Sequence, residues 1–259
     1  MCLTGPRALR LGGTLLIALV LASCASNATG SGYSWGWYVL SPFTDKGAAN
    51  LRFLAAGIGL TVGLSVTAIV VSVVLGLALA LAARSASATL RHAARVYVEV
   101  FRAIPLLVLL LWVYYGLPVV SGLQFGAFAA GVISLALSDA AFEAEVFRAG
   151  IQSVPKGHRE AAQALGLSPM QVFRLVVLPQ ALRVILPALG NQFVYVMKMS
   201  SLVSVIGLQE LTRRANELNV TEYRPLEIYS LLVLEYLALI LLTSWGVRRL
   251  ERRLARTGA

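Results

Sequence analysis

Long runs without a charged residue, separated by short basic segments, dominate the pattern of this chain. Residues 53–83 and 103–138 contain no charged residue. About 20 apolar residues in a helix cross the hydrocarbon core of a bilayer, so the first run predicts one spanning helix. The second run would reach about 54 Å as one helix, too long for a single crossing. Glycine and proline interrupt its middle, at Gly116, Pro118, Gly122 and Gly126. The pattern therefore predicts two helices, over 99–117 and 126–147, joined by a hairpin.

Two further apolar stretches complete the set of predicted spans. One covers 184–206 and is interrupted only by Lys198, and the other covers 227–247 and is interrupted by Glu235. The chain is thus predicted to be an all-α polytopic membrane protein with five core helices. Gly59 and Gly63 have the spacing of small residues that lets two helices approach closely, and they predict such a contact in the first helix.

Composition agrees with a membrane protein. The 259 residues are 58% hydrophobic and 13% charged, with a mean hydropathy of +0.77. Soluble domains carry about 25% charged residues, so a soluble globular protein, a disordered tail and a coiled coil are excluded. The net charge of +10 lies in clusters between the apolar runs. Nucleic-acid binding is therefore not the reason for the basic charge.

The basic residues also predict the orientation of the spans. Fourteen lysines and arginines lie in 84–102, 148–183 and 248–256, against five in the opposite set of loops. Cytoplasmic loops carry the excess of basic residues in membrane proteins. This places the 148–183 segment and the basic tail 251–259 in the cytoplasm, with 51–250 as the transmembrane domain.

The N-terminal segment 1–24 resembles an export signal. Arg7 and Arg10 precede an apolar core over 11–22, and residues 21–24 read Leu-Ala-Ser-Cys, like the lipobox of bacterial lipoproteins. Cys24 is then the candidate lipidated residue. The alternative is a retained anchor or a short extra span. Residues 25–50 are predicted to be extracytoplasmic, with aromatic residues suited to a membrane interface.

No metal-binding or catalytic motif is apparent. The two cysteines lie near the N-terminus, and His92 and His158 lack a cysteine or carboxylate at ligand spacing. There is no metal-binding His-Glu cluster. We expect neither a metal site nor a catalytic site in this chain.

The 148–183 loop carries the most specific local pattern. Glu160 begins a run of good helix formers, and Gly166 can end that helix in the left-handed conformation. Ser168 follows as a helix N-cap, with Gln171 at the position that closes a capping box. This second helix is predicted to run to Leu178, and Pro179 to end or kink it. The loop is therefore predicted to fold as a helix-turn-helix. The alternative is an amphipathic connector on lipid headgroups, which the alanine-rich first helix argues against.

This loop resembles the EAA loop of ATP-binding-cassette importer permeases. The matching residues are Glu160, Ala161, Ala162, Gly166, Val176, Leu178 and Pro179. Segments 97–107, 145–157 and 198–207 resemble the polar amino acid branch of that family, which takes up histidine, glutamate, glutamine, arginine and opines. Three positions depart from the family pattern: Val176 replaces isoleucine, His158 replaces glutamine, and Met199-Ser200-Ser201 replaces Asp-Thr-Ser.

The resemblance implies the fold and partners of a type I importer in the bacterial plasma membrane. This chain has no GxxxxGK[ST] phosphate loop, so ATP and Mg are expected on two separate ATPase subunits. Further expected partners are a second permease chain, identical or related, an extracytoplasmic substrate-binding protein and membrane lipids. No nucleic acid is expected. In the family, the loop docks on the ATPase. The implied coupling residues here are Glu160, Ala161, Ala162, Gly166, Leu178 and Pro179.

The resemblance predicts a non-catalytic permease subunit for ATP-driven uptake of polar amino acids. Two alternatives stay open. A secondary transporter driven by an ion gradient would show inverted repeats and broken helices, and we find no such repeat. A membrane receptor or scaffold without transport would have a fully apolar bundle interior, and the charged residues within the spans argue against it.

Charged residues within the spans are candidates for the substrate pathway, because a charge in the membrane is costly unless it is paired or functional. Asp139 lies within the third helix and Lys198 within the fourth. They could form an ion pair, or Lys198 could reach toward an interface. Alternatively they line a polar cavity, in which Asp139 binds a substrate ammonium while Ser200 and Ser201 bind its carboxylate.

Overall fold

The computed structural model describes residues 33–256, with side chains described up to residue 249. The candidate lipidation site, Cys24, lies outside the described residues. Residues 38 onward belong to one compact unit, and the chain before them is grouped separately. The described part of the chain is helical and contains no strand.

The helices follow one another with short connections. They are α1 (Asp45–Ala55), α2 (Gly57–Ala82), α3 (Ala88–Ala103), α4 (Leu106–Leu111), α5 (Leu117–Ser121), α6 (Ala127–Gln152), α7 (Lys156–Ala164), α8 (Pro169–Val172), α9 (Leu178–Met199), α10 (Leu211–Glu222) and α11 (Pro225–Arg256). Turns of 3-10 helix occupy Trp37–Leu40 and Ser200–Ile206, and π-helical turns occupy Trp112–Gly116 and Phe173–Val177.

Within the described residues, four helices are long and apolar enough to cross a membrane. They are Asp45–Ala82, Ala127–Gln152, Pro169–Ile206 and Pro225–Arg249. A fifth crossing requires the bent pair Ala88–Ala103 and Leu106–Ser121, whose two halves meet at 103°. The five-helix prediction agrees with this count.

The bounds of the predicted second helix, 99–117, are wrong. Pro105 lacks an amide hydrogen, and Ile104 before it is extended, with φ −80° and ψ 125°. A proline disfavours helical geometry at the preceding residue, so the chain turns there instead of continuing. The basic segment before it is not a loop but the amphipathic helix α3. The search for uncharged runs missed this helix because it contains arginines among its apolar residues.

The loop helix does not end at Leu178 and Pro179, which was one of the two outcomes predicted for this proline. The helix continues from Pro169 through Ile206 as one span. Directly before Pro179, the Leu178 amide donates to the Phe173 carbonyl in a wide π-type turn. This wider turn accommodates the missing amide hydrogen of proline without ending the helix. The fourth span therefore begins well before the predicted residue 184.

The predicted domain boundaries fall inside helices. The boundary between segments 25–50 and 51–250 lies within α1, and the predicted tail 251–259 is helical as far as Arg256. A hydrophobic stretch marks where a helix crosses the bilayer, whereas the helix itself continues into the polar regions on either side.

Helix α2 packs against α6 through a stripe of small residues at helical spacing. Thr61, Ser65, Ala68 and Ser72 are completely buried along it. At Gly76, a Cβ atom would lie 2.5 Å from the Cβ of Glu143, so only glycine permits this approach. The close contact predicted at Gly59 and Gly63 is not formed among the described residues, since no described atom lies within 4 Å of a Cβ atom at either position.

Candidate functional site

The turn after α7 has the geometry predicted for Gly166. This glycine has φ +83°, in the left-handed region. The Leu167 amide donates to the Ala162 carbonyl at 3.2 Å, and the Gly166 amide donates to the Gln163 carbonyl at 2.9 Å. These two bonds form a Schellman motif, which satisfies the last carbonyls of the helix.

The following helix begins with the predicted capping box. The Gln171 amide donates to the Ser168 hydroxyl at 3.4 Å, and the Ser168 amide donates to Oε1 of Gln171 at 2.9 Å. The end of α7 and the start of α8 are thus each closed by local hydrogen bonds. The predicted helix-turn-helix is confirmed, apart from its C-terminal bound.

Two side chains hold α7 against the spanning helices. Arg159 donates to the carbonyl of Ile151 at the end of α6, at 2.6 Å. His158 lies 2.9 Å from Gln180 on α9, through Nδ1 and Oε1. The departure from the family pattern at His158 is therefore part of a direct link between the loop and a spanning helix, which the sequence did not reveal.

The implied coupling residues do not share one exposed surface. Glu160, Ala161, Gly166 and Pro179 are exposed, Leu178 is half-buried, and Ala162 is only 5% exposed. Ala162 packs in the apolar cluster beneath the loop, which also contains Phe147, Val154, Val172, Val177 and Ile185. Its small side chain thus brings α7 close to the protein's own core.

Two exposed apolar residues flank the turn and were missed by sequence reasoning. Leu165 is 83% exposed and Met170 is 67% exposed. They precede and follow the glycine turn at the end of α7. Their residue type does not indicate this exposure, which follows from their position on either side of the closed turn.

A polar cluster inside the membrane joins three helices at Asp139. The carboxylate accepts hydrogen bonds from the Ser72 hydroxyl of α2 at 2.6 Å and from the Gln192 amide of α9 at 2.5 Å. Asp139 is 2% exposed. Among the described residues Asp139 and Lys198 form no ion pair, which was one of the alternatives considered for these two charges. No sequence pattern indicates the partners Ser72 and Gln192, which are distant along the chain.

Glu143 lies one helical turn from Asp139 and is completely buried. Neither carboxylate oxygen has a hydrogen-bond partner among the described residues. A buried polar group without a partner is costly, so this carboxyl group marks a functional or conformationally sensitive position. The sequence reasoning assigned it no role.

The other candidate pathway residues bond within their own segment. The Ser200 hydroxyl donates to the Met197 carbonyl at 2.7 Å, and the Ser201 hydroxyl to the Lys198 carbonyl at 2.8 Å. Ser200 is buried, whereas Lys198 is exposed. Lys198 has no ion pair among the described residues, and these three residues form no hydrogen bond with Asp139 there.

At the opposite ends of the spans, Glu210 organises the connection before α10. Its carboxylate accepts from the Arg213 amide at 2.7 Å and from the Tyr236 hydroxyl at 2.9 Å. Glu210 is completely buried, and this burial raises the pKa of its carboxyl above the ordinary value. In the part of the chain that the structure describes, no group of three or more histidine, cysteine, aspartate or glutamate side chains could hold a metal ion.

A family model described as the inner membrane component of binding-protein-dependent transport systems matches residues 72–256, which include the bent second crossing, the capped loop and the Asp139 cluster. The chain belongs to this family. The resemblance read from the EAA loop is confirmed, and this permease is an inner membrane component of an importer system.

Several relatives of the permease have names that include an amino acid. The glutamine transport system permease protein GlnP of Escherichia coli strain K12 is 42% identical over 164 residues, covering 63% of this chain and 75% of GlnP. The L-cystine transport system permease protein TcyL of Bacillus subtilis is 40% identical over 167 residues, covering 62% and 70%. The arginine ABC transporter permease protein ArtQ of Haemophilus influenzae is 37% identical over 167 residues, covering 62% and 76%.

Solved structures agree with the predicted all-α, type I importer fold. A chain from the crystal structure of an amino acid ABC transporter with histidines has a TM-score of 0.78 and 37% identity, covering 85% of this permease and 100% of that chain. A chain of the MetNI methionine ABC transporter has a TM-score of 0.67 at 23% identity, covering 80% and 98%, which shows the shared fold alone. Nothing among these relatives and structures supports the alternative of a secondary transporter.

Proposed function

We propose that this permease forms the membrane path of an ATP-driven importer for a polar amino acid or a close relative. The substrate class is supported by the glutamine, cystine and arginine relatives. The observation that carries the mechanism is the loop of α7 and α8, closed by a Schellman motif and a capping box and tied to α6 and α9 through Arg159 and His158. A closed, tethered loop can transmit a movement of its partner to the spanning helices.

The proposed complex contains two ATPase subunits, a second permease chain and an extracytoplasmic binding protein. ATP and Mg bind the ATPase subunits, and this chain does no chemistry. The arginine-rich ends of the spans lie in the cytoplasm, as the excess of basic residues predicts. The loop then faces the ATPase, and Glu160, Ala161, Gly166 and the exposed apolar residues Leu165 and Met170 form the coupling contact.

Within the membrane, we assign different roles to the two candidate pathway charges. Asp139 holds α2, α6 and α9 together, since its oxygens are already bonded to Ser72 and Gln192. Lys198 is exposed on the surface of the single chain. An ammonium group facing lipid is costly, so Lys198 and the neighbouring Ser201 are proposed to face a water-filled path between the two permease chains.

Reconstituted transport tests the proposal. The permease, co-purified with its ATPase, is placed in proteoliposomes with the binding protein, and uptake is measured with ATP and with an imposed ion gradient. Uptake that requires ATP is expected, and Glu160→Lys is expected to abolish it without loss of membrane insertion. The control His92→Lys also introduces a lysine, at an exposed position of α3. Uptake driven by the ion gradient alone, or full coupling in the Glu160→Lys variant, would refute the proposal.

A further inference from the structure

A cavity of about 470 Å³ lies between the arginine-rich ends of α2, α3 and α6. Alanine side chains form much of its wall and leave the space open. The charged residues that line it are Arg84, Arg95, Glu99, Arg102, Glu145 and Arg148. Neither the coupling contact nor the proposed transport path uses this cavity.

The arginines of the cavity differ in their hydrogen-bond and ion-pair partners. Arg148 is bound to Glu145, at 2.5 and 3.0 Å, and donates to Gln152 at 2.8 Å. In contrast, the side chains of Arg84 and Arg95 have no hydrogen-bond or ion-pair partner among the residues that the structure describes.

The remaining charges leave the cavity positive. Arg102 stacks over the ring of Phe142 at 5.4 Å, which leaves its N–H groups available. Arg84, Arg95 and Arg102 therefore face a single remaining carboxylate, that of Glu99, and the six lining charges sum to +2. A cavity with this excess of guanidinium groups is suited to an anion.

The helix that carries Arg95 and Arg102 is fixed in place. Tyr97 donates to the carbonyl of Leu137 on α6 at 2.9 Å, and Arg91 donates to two carbonyls of the turn between α2 and α3, each at 2.7 Å. The cavity is thus formed before any ligand binds. Such preorganisation lowers the entropic cost of binding.

The arginine-rich ends of the spans place the cavity near the cytoplasmic surface of the membrane. Helix α3 meets the other half of the bent crossing, Leu106–Ser121, at 103°. Its exposed side chains include Leu90, Val96 and Val100, which suit the boundary between headgroups and acyl chains.

We propose that this cavity binds the phosphate group of an anionic phospholipid from the cytoplasmic leaflet. Guanidinium groups bind phosphate oxygens through paired hydrogen bonds, and basic pockets between spanning helices on the cytoplasmic side bind lipid headgroups. Free phosphate has the same binding chemistry. The lipid is favoured as the source because the cavity lies between helices at their arginine-rich ends, which the proposed orientation places at the headgroups of the cytoplasmic leaflet. The proposal uses the orientation given above but not the identity of the transported substrate.

Native mass spectrometry of the permease co-purified with its ATPase tests the lipid site. The complex is taken from nanodiscs containing phosphatidylglycerol and phosphatidylcholine. We expect retained phosphatidylglycerol, and a loss of affinity of about 30-fold in the Arg95→Gln, Arg102→Gln double variant, since each basic side chain near an anionic surface is worth about fivefold. The matched control is Arg174→Gln, at an exposed arginine outside the cavity. The variant with lysine at both positions keeps the charge and is expected to retain most of the binding.

Several outcomes would overturn the proposal. Equal lipid retention by the wild type and the glutamine double variant would show that the cavity is not the site. Equal retention of phosphatidylcholine and phosphatidylglycerol would show that the net charge of the lipid does not contribute to binding. Displacement of the lipid by excess inorganic phosphate would assign the cavity to a soluble anion. The amount of ATPase that co-purifies in each sample is measured independently of the retained lipid. It shows whether the permease is folded and forms the coupling contact, so a failure of the proposed function is distinguishable from a failure of the lipid site.

Discussion

Replacement of Gly166 by alanine isolates the role of the loop geometry. Gly166 has φ +83°, and a Cβ atom there would have nothing within 4 Å. The substitution therefore creates no clash and acts only through the backbone. Gly157, on the same loop, also has open space around it and has no positive φ. Gly157→Ala is the matched control.

The expected size of the effect follows from the left-handed conformation. A residue with a side chain is about 1–2 kcal/mol less stable there than in the right-handed region. If the Schellman turn must form for the loop to dock, its population relative to competing conformations falls by roughly 5- to 30-fold. The apparent affinity for the ATPase falls with the fraction of loops that have the turn, by at most this factor. Gly157→Ala lies in a helix, where alanine is favoured by about 0.5–1 kcal/mol, and is not expected to impair docking.

The assay measures ATP hydrolysis stimulated by the loaded binding protein, together with uptake, as ATPase is titrated onto the permease in nanodiscs. Gly166→Ala is expected to shift the titration to higher ATPase concentration, whereas Gly157→Ala is expected to follow the wild type. Gly166→Asn should be intermediate, because asparagine tolerates the left-handed region better than alanine does. Identical titrations for the two alanine variants would refute the reasoning that the turn geometry controls coupling.

Three further substitutions test the interior. Ser72→Ala removes a donor from the buried carboxylate and is expected to cost about 1–3 kcal/mol, measured as a lower unfolding temperature in detergent. Thr67→Ala, at an exposed hydroxyl bonded within its own helix, should change the unfolding temperature little. Equal effects of the two substitutions would contradict the link that Asp139 makes between α2, α6 and α9. Gly76→Ala should separate two helices at a cost of about 1–3 kcal/mol, whereas Gly59→Ala, with open space around it, should be neutral; stability of both variants would exclude the close contact. Burial raises the pKa of Glu210, so its protonated form is favoured in the native state, and stability should fall as pH rises from the ordinary carboxyl range through the raised pKa. Glu210→Gln should flatten this part of the curve of unfolding temperature against pH, and an unchanged slope would refute the assignment.

Local sequence patterns predicted the loop well because their interactions span few residues. Gly166 ends α7 and the Ser168–Gln171 capping box starts α8, each through hydrogen bonds between neighbours in the chain. Their geometry depends on residue type at fixed spacing, so it can be read without knowledge of the fold. The continuation through Pro179 was missed, because proline in a sequence does not reveal a π-type turn before it.

Contacts between distant residues were not predictable in the same way. Asp139 pairs with Ser72, 67 positions away, and with Gln192, 53 positions away. The sequence marked the buried charge as important but suggested Lys198 as its partner. Likewise, Ala162 was expected at the coupling surface, whereas it packs into the core beneath the loop. The rotation of each helix about its axis decides such pairings.

The sequence by itself determined that this is an all-helical membrane permease with a capped loop of the EAA type. The reason is that the bilayer requires long apolar helices and that turn geometry requires particular residues at fixed spacing. Only the tertiary structure decided which faces of those helices meet. Small residues occur throughout α2, but Gly76 contacts α6 whereas Gly59 and Gly63 do not. In a membrane the outer face of a helix is as apolar as its buried face, so hydrophobicity cannot distinguish the two, and close packing and buried hydrogen bonds decide.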